Sequence, residues 1–318
     1  MKKGRHSFTV SRFFHSEYFC NFPGRYLISI TCKLLQGICG RPVFPPRLPK
    51  KDEAGNRISN GAEAAMYSYP WQALVITRGP DAYRRCGGSF IHWREKNASS
   101  FVLTAAHCVL GNLPHLRGER LQLAKLEDLR VVLGAHDIDI TSPEEQQLSV
   151  VKLAVAEYNE TSFDQDIALL MLEKEVTYND YIQGICLPHE NEEPPGPESI
   201  CVVTGWGQLA YCLFELLADG QYGEKLQELQ VGVVGGQVNS PLFQEKSMVC
   251  TGHDEIDTGA RKGDSGGPLA CLKDGTFTLY GVLSFAFAEK CPLLKERQAF
   301  SKVSYYLPWI MKTISKFS

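Results

Sequence analysis

From residue 58 onward the apolar residues of this chain come in short β-branched and aromatic runs, each closed by turn-forming residues. That pattern restricts the fold more than any other feature. The runs are Gln72–Thr77, Ser99–Thr104, Leu129–Leu133, Ile167–Leu172, Ser199–Thr204, Gln227–Val234 and Thr276–Ser284. Short strands at regular spacing predict a β-sandwich or barrel. Helical periodicity is scarce until Tyr305–Phe317, where Leu307, Ile310, Met311 and Ile314 fall on one face and are expected to pack against the barrel.

Two zones precede this region. Residues 1–40 are mixed. Residues 41–57, RPVFPPRLPKKDEAGNR, are rich in Pro and Lys/Arg without apolar periodicity, and read as an exposed linker. Lys2, Lys3 and Arg5 give a basic start but no clean apolar stretch follows, and Lys33 interrupts the nearest candidate, Tyr26–Ile38. An atypical N-terminus and an internal signal both fit.

The chain of 318 residues, 44% hydrophobic and 22% charged, is ample for a sizeable core. A net charge of −3 speaks against a nucleic-acid binder. No apolar run reaches the roughly 20 residues needed to span a bilayer, so a soluble product without a membrane partner is expected. The 11 cysteines are scattered rather than set in CxxC pairs, which favours disulfides over zinc and points to an oxidising, secretory compartment. Their odd number leaves at least one outside an internal bridge. Sequons at Asn97 and Asn159 are compatible with glycosylation there.

Amide hydrolysis at neutral pH needs a nucleophile, a proton shuttle and donors for a developing oxyanion. A serine hydroxyl is weak alone; an imidazole must take its proton, and a carboxylate must orient the imidazole. Three segments offer these parts: Thr104-Ala105-Ala106-His107-Cys108, Asp166-Ile167-Ala168-Leu169-Leu170 and Gly263-Asp264-Ser265-Gly266-Gly267-Pro268. The glycines of the last segment suit a tight, partly positive-φ loop in which backbone N–H groups converge on one point.

TAAHC, DIALL and GDSGGP, in the order His, Asp, Ser, resemble the chymotrypsin/trypsin family of serine proteases over roughly Ile58 to Ser318. The resemblance implies an all-β fold of two six-stranded antiparallel β-barrels with a C-terminal helix, the site lying in the cleft between them. It implies a triad of His107, Asp166 and Ser265, an oxyanion hole from the amides of Gly263 and Ser265, and no cofactor or metal. Arg57-Ile58 resembles an activation site: cleavage after Arg57 would free the Ile58 ammonium to pair with Asp264 and order the loop. The peptidase domain would then be 58–318, and the partners a peptide substrate, an activating protease and protein inhibitors. Thr204-Gly205-Trp206-Gly207 fits a strand start of the second barrel. Ser284 fits a position whose hydroxyl approaches the aspartate and whose backbone binds substrate. The implied disulfides are Cys86–Cys108, Cys201–Cys271 and Cys39–Cys186, the last keeping a cleaved propeptide attached.

The specificity pocket departs from the family. Where trypsin-like members carry an aspartate, six residues before the nucleophile, this chain has Gly259, so a P1 Arg or Lys lacks its counter-charge. Lys262 borders the same stretch. Ser284-Phe285-Ala286 replaces the usual Ser-Trp-Gly, and Gln298 stands near a usual glycine, which together shorten the slot and favour a small apolar P1 residue, as in elastase-like members. A pocket too filled to bind anything is the competing reading, in which a silent homologue acts as a binding module. Arg261 replaces a usual cysteine and orphans Cys291; Cys250 lacks its upstream partner; Cys212 is extra, so a Cys212–Cys291 bridge is expected, with Cys20–Cys32 as a further pairing. Ala135 replaces a glutamate of the family's calcium loop.

Overall fold

The structure, a computed structural model, describes residues 39–48, 62–79, 82–111, 122–197, 199–207, 223–234, 240–252, 263–287 and 297–318. Ile38–Ser318 form one compact unit, whose described residues include thirteen strands and a C-terminal helix. The strands are β1 (Ala62–Glu63), β2 (Gln72–Arg78), β3 (Tyr83–Phe90), β4 (Ala98–Thr104), β5 (Leu129–Leu133), β6 (Gln146–Val155), β7 (Ala168–Thr177), β8 (Cys201–Gly205), β9 (Gln227–Val233), β10 (Met248–Gly252), β11 (Pro268–Lys273), β12 (Thr276–Phe287) and β13 (Arg297–Lys302). The helix α1 spans Val303–Phe317.

Two antiparallel rings result. The first closes in the order β2-β3-β4-β7-β6-β5. The second runs β9-β10-β13-β12-β11-β8 and closes through β8–β9 pairing, with β1 added at β9. Each ring is filled by the inward-facing residues of its strands, as the period-2 geometry requires. Phe101, Leu103, Leu129, Leu133, Leu148 and Leu169 are fully buried in the first cluster. Val203, Val231, Leu269, Tyr280 and Phe300 fill the second. Burying each of the large side chains stabilises by roughly 1.5–3 kcal/mol.

The stripe expected on α1 is placed differently. The helix starts at Val303, and its buried face is Val303, Tyr306, Ile310, Thr313 and Ile314, while Met311 is exposed and Leu307 half-buried. Starting on a residue already locked to β13 rotates the seam onto the 303-306-310-313 row.

The residues just before the segment read as an exposed linker are anchored on the barrels, while Val43, Phe44, Pro45 and Arg47 within it are exposed. Cys39 bridges to Cys186, Gly40 N donates to Gly184 O at 3.0 Å, and Phe277 N donates to Gly40 O at 2.8 Å. Phe44 stacks on Tyr181 with centroids 5.9 Å apart. A Cβ on Gly40 would sit 2.0 Å from the Phe277 carbonyl oxygen, so only glycine allows this approach.

A second tether is ionic. Glu192 accepts from Lys273 Nζ (2.5 Å), Tyr280 Oη (2.8 Å) and its loop's His189 N (2.8 Å), fastening residues 189–192 to β11 and β12. Burial raises its carboxyl pKa, but these donors and the Lys273 charge outweigh it and hold the pKa at about 2. The folded-state pKa is depressed, so this stabilisation is fully present above the unfolded value, near 4.5, and is lost as pH falls through about 2. Glu192→Gln is expected to lower stability at pH 7 by on the order of 1–2 kcal/mol, solvent around the half-exposed Lys273 screening the pair, and to flatten the acid limb of stability, measured by urea unfolding from pH 7 to 2.

Candidate active site

Each candidate catalytic side chain stands where a strand begins or ends. β4 ends at Thr104, and the single 3-10 turn Ala106–Val109 that follows carries His107. Asp166 lies just before β7, completely buried. Ser265 lies in the glycine loop before β11.

Asp166 is a buried carboxylate surrounded by donors. It accepts from His107 N (3.0 Å), His107 Nδ1 (2.7 Å) and Ser284 Oγ (2.6 Å). Its backbone oxygen accepts from Ser301 Oγ at 2.8 Å. A charge removed from water persists only with such partners. Ser284 reaches it through a β-bulge: Leu283 pairs with Phe300 and Phe285 with Ala299, leaving Ser284 out of the ladder. Bulges commonly re-aim a side chain in this way.

With Nδ1 donating to Asp166, His107 presents Nε2 as an acceptor. Burial pulls its pKa down, but the charge and hydrogen bond of Asp166 outweigh burial and an opposing Arg84, so the imidazole titrates above its ordinary range. Nε2 lies 3.7 Å from Cys108 Sγ, and the same sulfur lies 3.5 Å from the Ser265 carbonyl oxygen. His107 and Ser265 are thus neighbours across the Cys86–Cys108 disulfide. The Ser265 hydroxyl makes no hydrogen bond to His107 among the described residues. Substrate-free sites often hold such contacts long and tighten them on binding.

The serine loop is fixed by its backbone. Gly87 N donates to Ser265 O, Gly266 N to Leu283 O and Gly267 N to Asp264 O, each at 2.8 Å. Gly263 and Gly266 have φ of 106° and 79°. A Cβ on Gly266 would lie 2.2 Å from Thr104 Oγ1 and 2.6 Å from Gly87 O, so this is where the two rings touch. Asp264 points away from Ser265: its Oδ1 accepts from Gly207 N at 2.7 Å, and a Cβ on Gly205 or Gly207 would strike the carboxylate.

The pocket residues are placed in part. Gln298 on β13 is buried, opposite Thr251 of β10 and Ala286 of β12, and accepts from Thr251 Oγ1 at 3.4 Å. Ala286 is exposed and Phe285 half-buried. Phe163, at φ 54°, lays its ring on Phe285 with centroids 4.8 Å apart. This aromatic wall beside Asp166 is not visible from sequence patterning. Arg57, Ile58, Gly259, Arg261 and Lys262 lie outside the described residues, as do Cys20, Cys32, Cys212 and Cys291.

Three disulfides join the pairs implied by the resemblance: Cys39–Cys186, Cys86–Cys108 and Cys201–Cys271. Such closures typically stabilise by about 2–4 kcal/mol each. Cys250 is a free, buried thiol whose pKa burial raises against an opposing Arg297. Cys86, His107 and Cys108 have metal-like spacing, but the two sulfurs are bonded to each other. Asn97 and Asn159 are exposed, and Asn159 Oδ1 accepts from Thr161 N at 2.9 Å.

A sequence model of the Trypsin family matches residues 58–310, most of the chain. The chain belongs to the trypsin family. As a trypsin-family member it is a serine-type endopeptidase, acting on protein substrates, and its disulfides fit an extracellular protein. It is 34% identical over 272 residues to chymotrypsin-like elastase family member 1 of Macaca fascicularis, covering 83% of this chain and 91% of that one. It is 32% identical over 285 residues to chymotrypsin-C of Mus musculus, covering 87% and 93%. Among solved structures it is similar to one titled "Structure of GrC", with a TM-score of 0.63, 26% identity and coverage of 80% and 98%. This trypsin-family chain has no helix, among its described residues, long and apolar enough to cross a membrane.

Proposed function

We propose that the protein is a secreted endopeptidase zymogen, activated by cleavage after Arg57, that cuts after small apolar residues through a Ser265 acyl-enzyme. The observation carrying this reading is the row His107–Asp166–Ser284, with bonds of 2.7 and 2.6 Å, beside the Ser265 loop. Ser265 attacks the scissile carbonyl, His107 takes its proton and hands it to the leaving amine, and Asp166 orients and charge-balances the imidazole. The amides of Gly263 and Ser265 hold the oxyanion, each such donor being worth about 3–4 kcal/mol of barrier. Water then releases the acyl group.

Activation follows from charge. Asp264 Oδ1 accepts from Gly207 N at the Thr204–Gly207 strand end, and a new Ile58 ammonium would add a cation beside this carboxylate. The Cys39–Cys186 bridge would keep the cut segment, residues 41–57 within a propeptide ending at 57, attached to the peptidase domain 58–318. Protein protease inhibitors are further expected partners.

Gln298 sets the P1 preference. Buried on β13, with its carboxamide oxygen accepting from Thr251 Oγ1 of β10, it would narrow the slot in favour of a short side chain, and Gly259 offers no counter-charge for Arg or Lys. A relative named as an elastase is in keeping with this. The test is a peptide library cut by protein cleaved after Arg57. Cleavage after Ala- or Val-sized residues is expected; cleavage after Arg or Lys would overturn the pocket assignment. No cleavage of any peptide would point instead to a silent homologue whose pocket Gln298 fills.

A further inference from the structure

We propose that Arg84 is a carboxylate-binding residue of the cleft, selecting an acidic side chain in the peptide segment that follows the scissile bond. The proposal rests on the peptidase reading above.

Arg84 stands on β3 opposite Thr77, two residues before Cys86. Residues two apart on a strand share a face, so Arg84 leaves the sheet on the side of the Cys86–Cys108 disulfide. That face leads into the site. Cys108 Sγ touches His107 Nε2 and the Ser265 carbonyl, Gly87 N donates to that carbonyl, and Thr77 Oγ1 holds Cys108 O at 2.7 Å. The positive charge of Arg84 opposes protonation of the imidazole.

This is not an ordinary surface arginine. Its neighbour Arg85 is exposed, whereas Arg84 is half-buried, and its Nη2 is buried with no hydrogen-bond partner among the described residues. A dry, unpaired charged donor typically costs a few kcal/mol, and a guanidinium cannot shed its proton to escape that cost. The two carboxylates of the site are engaged elsewhere: Asp166 with His107 and Ser284, Asp264 with Gly207 N. With Nη2 buried, the reachable donors of the guanidinium can each offer a charge-assisted N–H bond to an arriving anion, and the anion a peptide substrate carries is a carboxylate. In a cleft that binds peptides, the carboxylate comes from a Glu or Asp of the substrate.

The side follows from the rings. Ser284, Phe285, Ala286 and Gln298, assigned to the acyl half of the substrate, belong to the second ring. Arg84 belongs to the first, beside the imidazole that delivers its proton to the leaving amine. Its reach is therefore to residues after the scissile bond.

The test compares kcat/KM for matched peptides carrying Glu or Gln at successive positions on both sides of the bond, using protein cleaved after Arg57. At one position after the bond, Glu is expected to be preferred about tenfold, a size typical of one charge-assisted hydrogen bond. Arg84→Gln should bring the Glu/Gln ratio to about one, and Arg84→Lys, which keeps charge but not the fork, should retain only part of it. Equal ratios in native and Arg84→Gln protein overturn the proposal, as does a preference confined to positions before the bond. Should Arg84→Gln fail to fold, absence of any Glu preference in the native protein overturns it alone. Turnover of Gln peptides without discrimination sinks Arg84 and spares the peptidase reading; no turnover of either peptide sinks both.

Discussion

Alanine at Ser265 is expected to cut peptide turnover by about a million-fold, the scale found when a serine nucleophile is removed from a triad. The reason is chemical. Without the hydroxyl no acyl-enzyme forms, and an unaided water must attack the amide in a site shaped for an oxygen held on the chain. What survives is the stabilisation given by the Gly263 and Ser265 amides and by substrate binding, so a residual rate above that of free solution remains. The fold should not suffer. The loop is fixed by backbone bonds from Gly87, Gly266 and Gly267, none of which uses the Ser265 hydroxyl. Thermal unfolding of Ser265→Ala should match the native protein, and KM for a good peptide should change little. A variant keeping more than a thousandth of the native kcat would show that the nucleophile is elsewhere.

Asparagine at Asp166 is expected to lower kcat by about ten-thousand-fold, a magnitude carried over from the family's template triad. The carboxylate accepts from His107 Nδ1 and Ser284 Oγ together, at 2.7 and 2.6 Å. A carboxamide offers one acceptor atom where two oxygens stood, and its NH2 favours the opposite imidazole tautomer, which leaves Nε2 protonated and unable to take the serine proton. The pH profile gives a second readout. Burial lowers the His107 pKa, Asp166 raises it by charge and hydrogen bond, and the balance is a raised value. The neutral imidazole is the active base, so kcat/KM of the native protein should rise with pH through a midpoint above about 6.5, the ordinary imidazole value. In Asp166→Asn the raising interactions are gone while burial and Arg84 remain, so the midpoint should move to lower pH as the plateau falls. An unmoved midpoint would mean that the limb belongs to another group.

Strands rich in β-branched and apolar residues between turn residues were the ones legible from sequence, as in Leu129–Leu133, where only Arg130 is exposed. Those that escaped had local reasons. β3 reads Tyr-Arg-Arg-Cys-Gly-Gly, without apolar alternation, because a Cβ on Gly87 would sit 2.7 Å from Gly267 Cα where the rings touch. β6 is half exposed along Gln146–Val155, so its apolar content is diluted by Gln and Lys. The outward turn of Met311 could not be read from the helix alone, since the seam depends on where β13 hands over to α1.

The candidate site divides in the same way. His107, Asp166 and Ser265 stand in short motifs whose residue types the chemistry dictates. The Ser284 bulge and the Phe163–Phe285 wall depend on register and on a positive-φ residue, which no local pattern announces. Arg84 left a trace that could have been followed: two places before a cysteine in a strand puts it on the disulfide's face. The missing signal was its burial, which only the packed barrels create.

The most direct measurement is titration with a fluorophosphonate of protein cleaved after Arg57, followed by peptide mapping. One equivalent bound covalently at Ser265 is predicted, with labelling absent in Ser265→Ala and falling in His107→Ala roughly in step with turnover. Native cleaved protein that stays unlabelled at Ser265, while correctly folded, would contradict the assignment of this serine as an activated nucleophile.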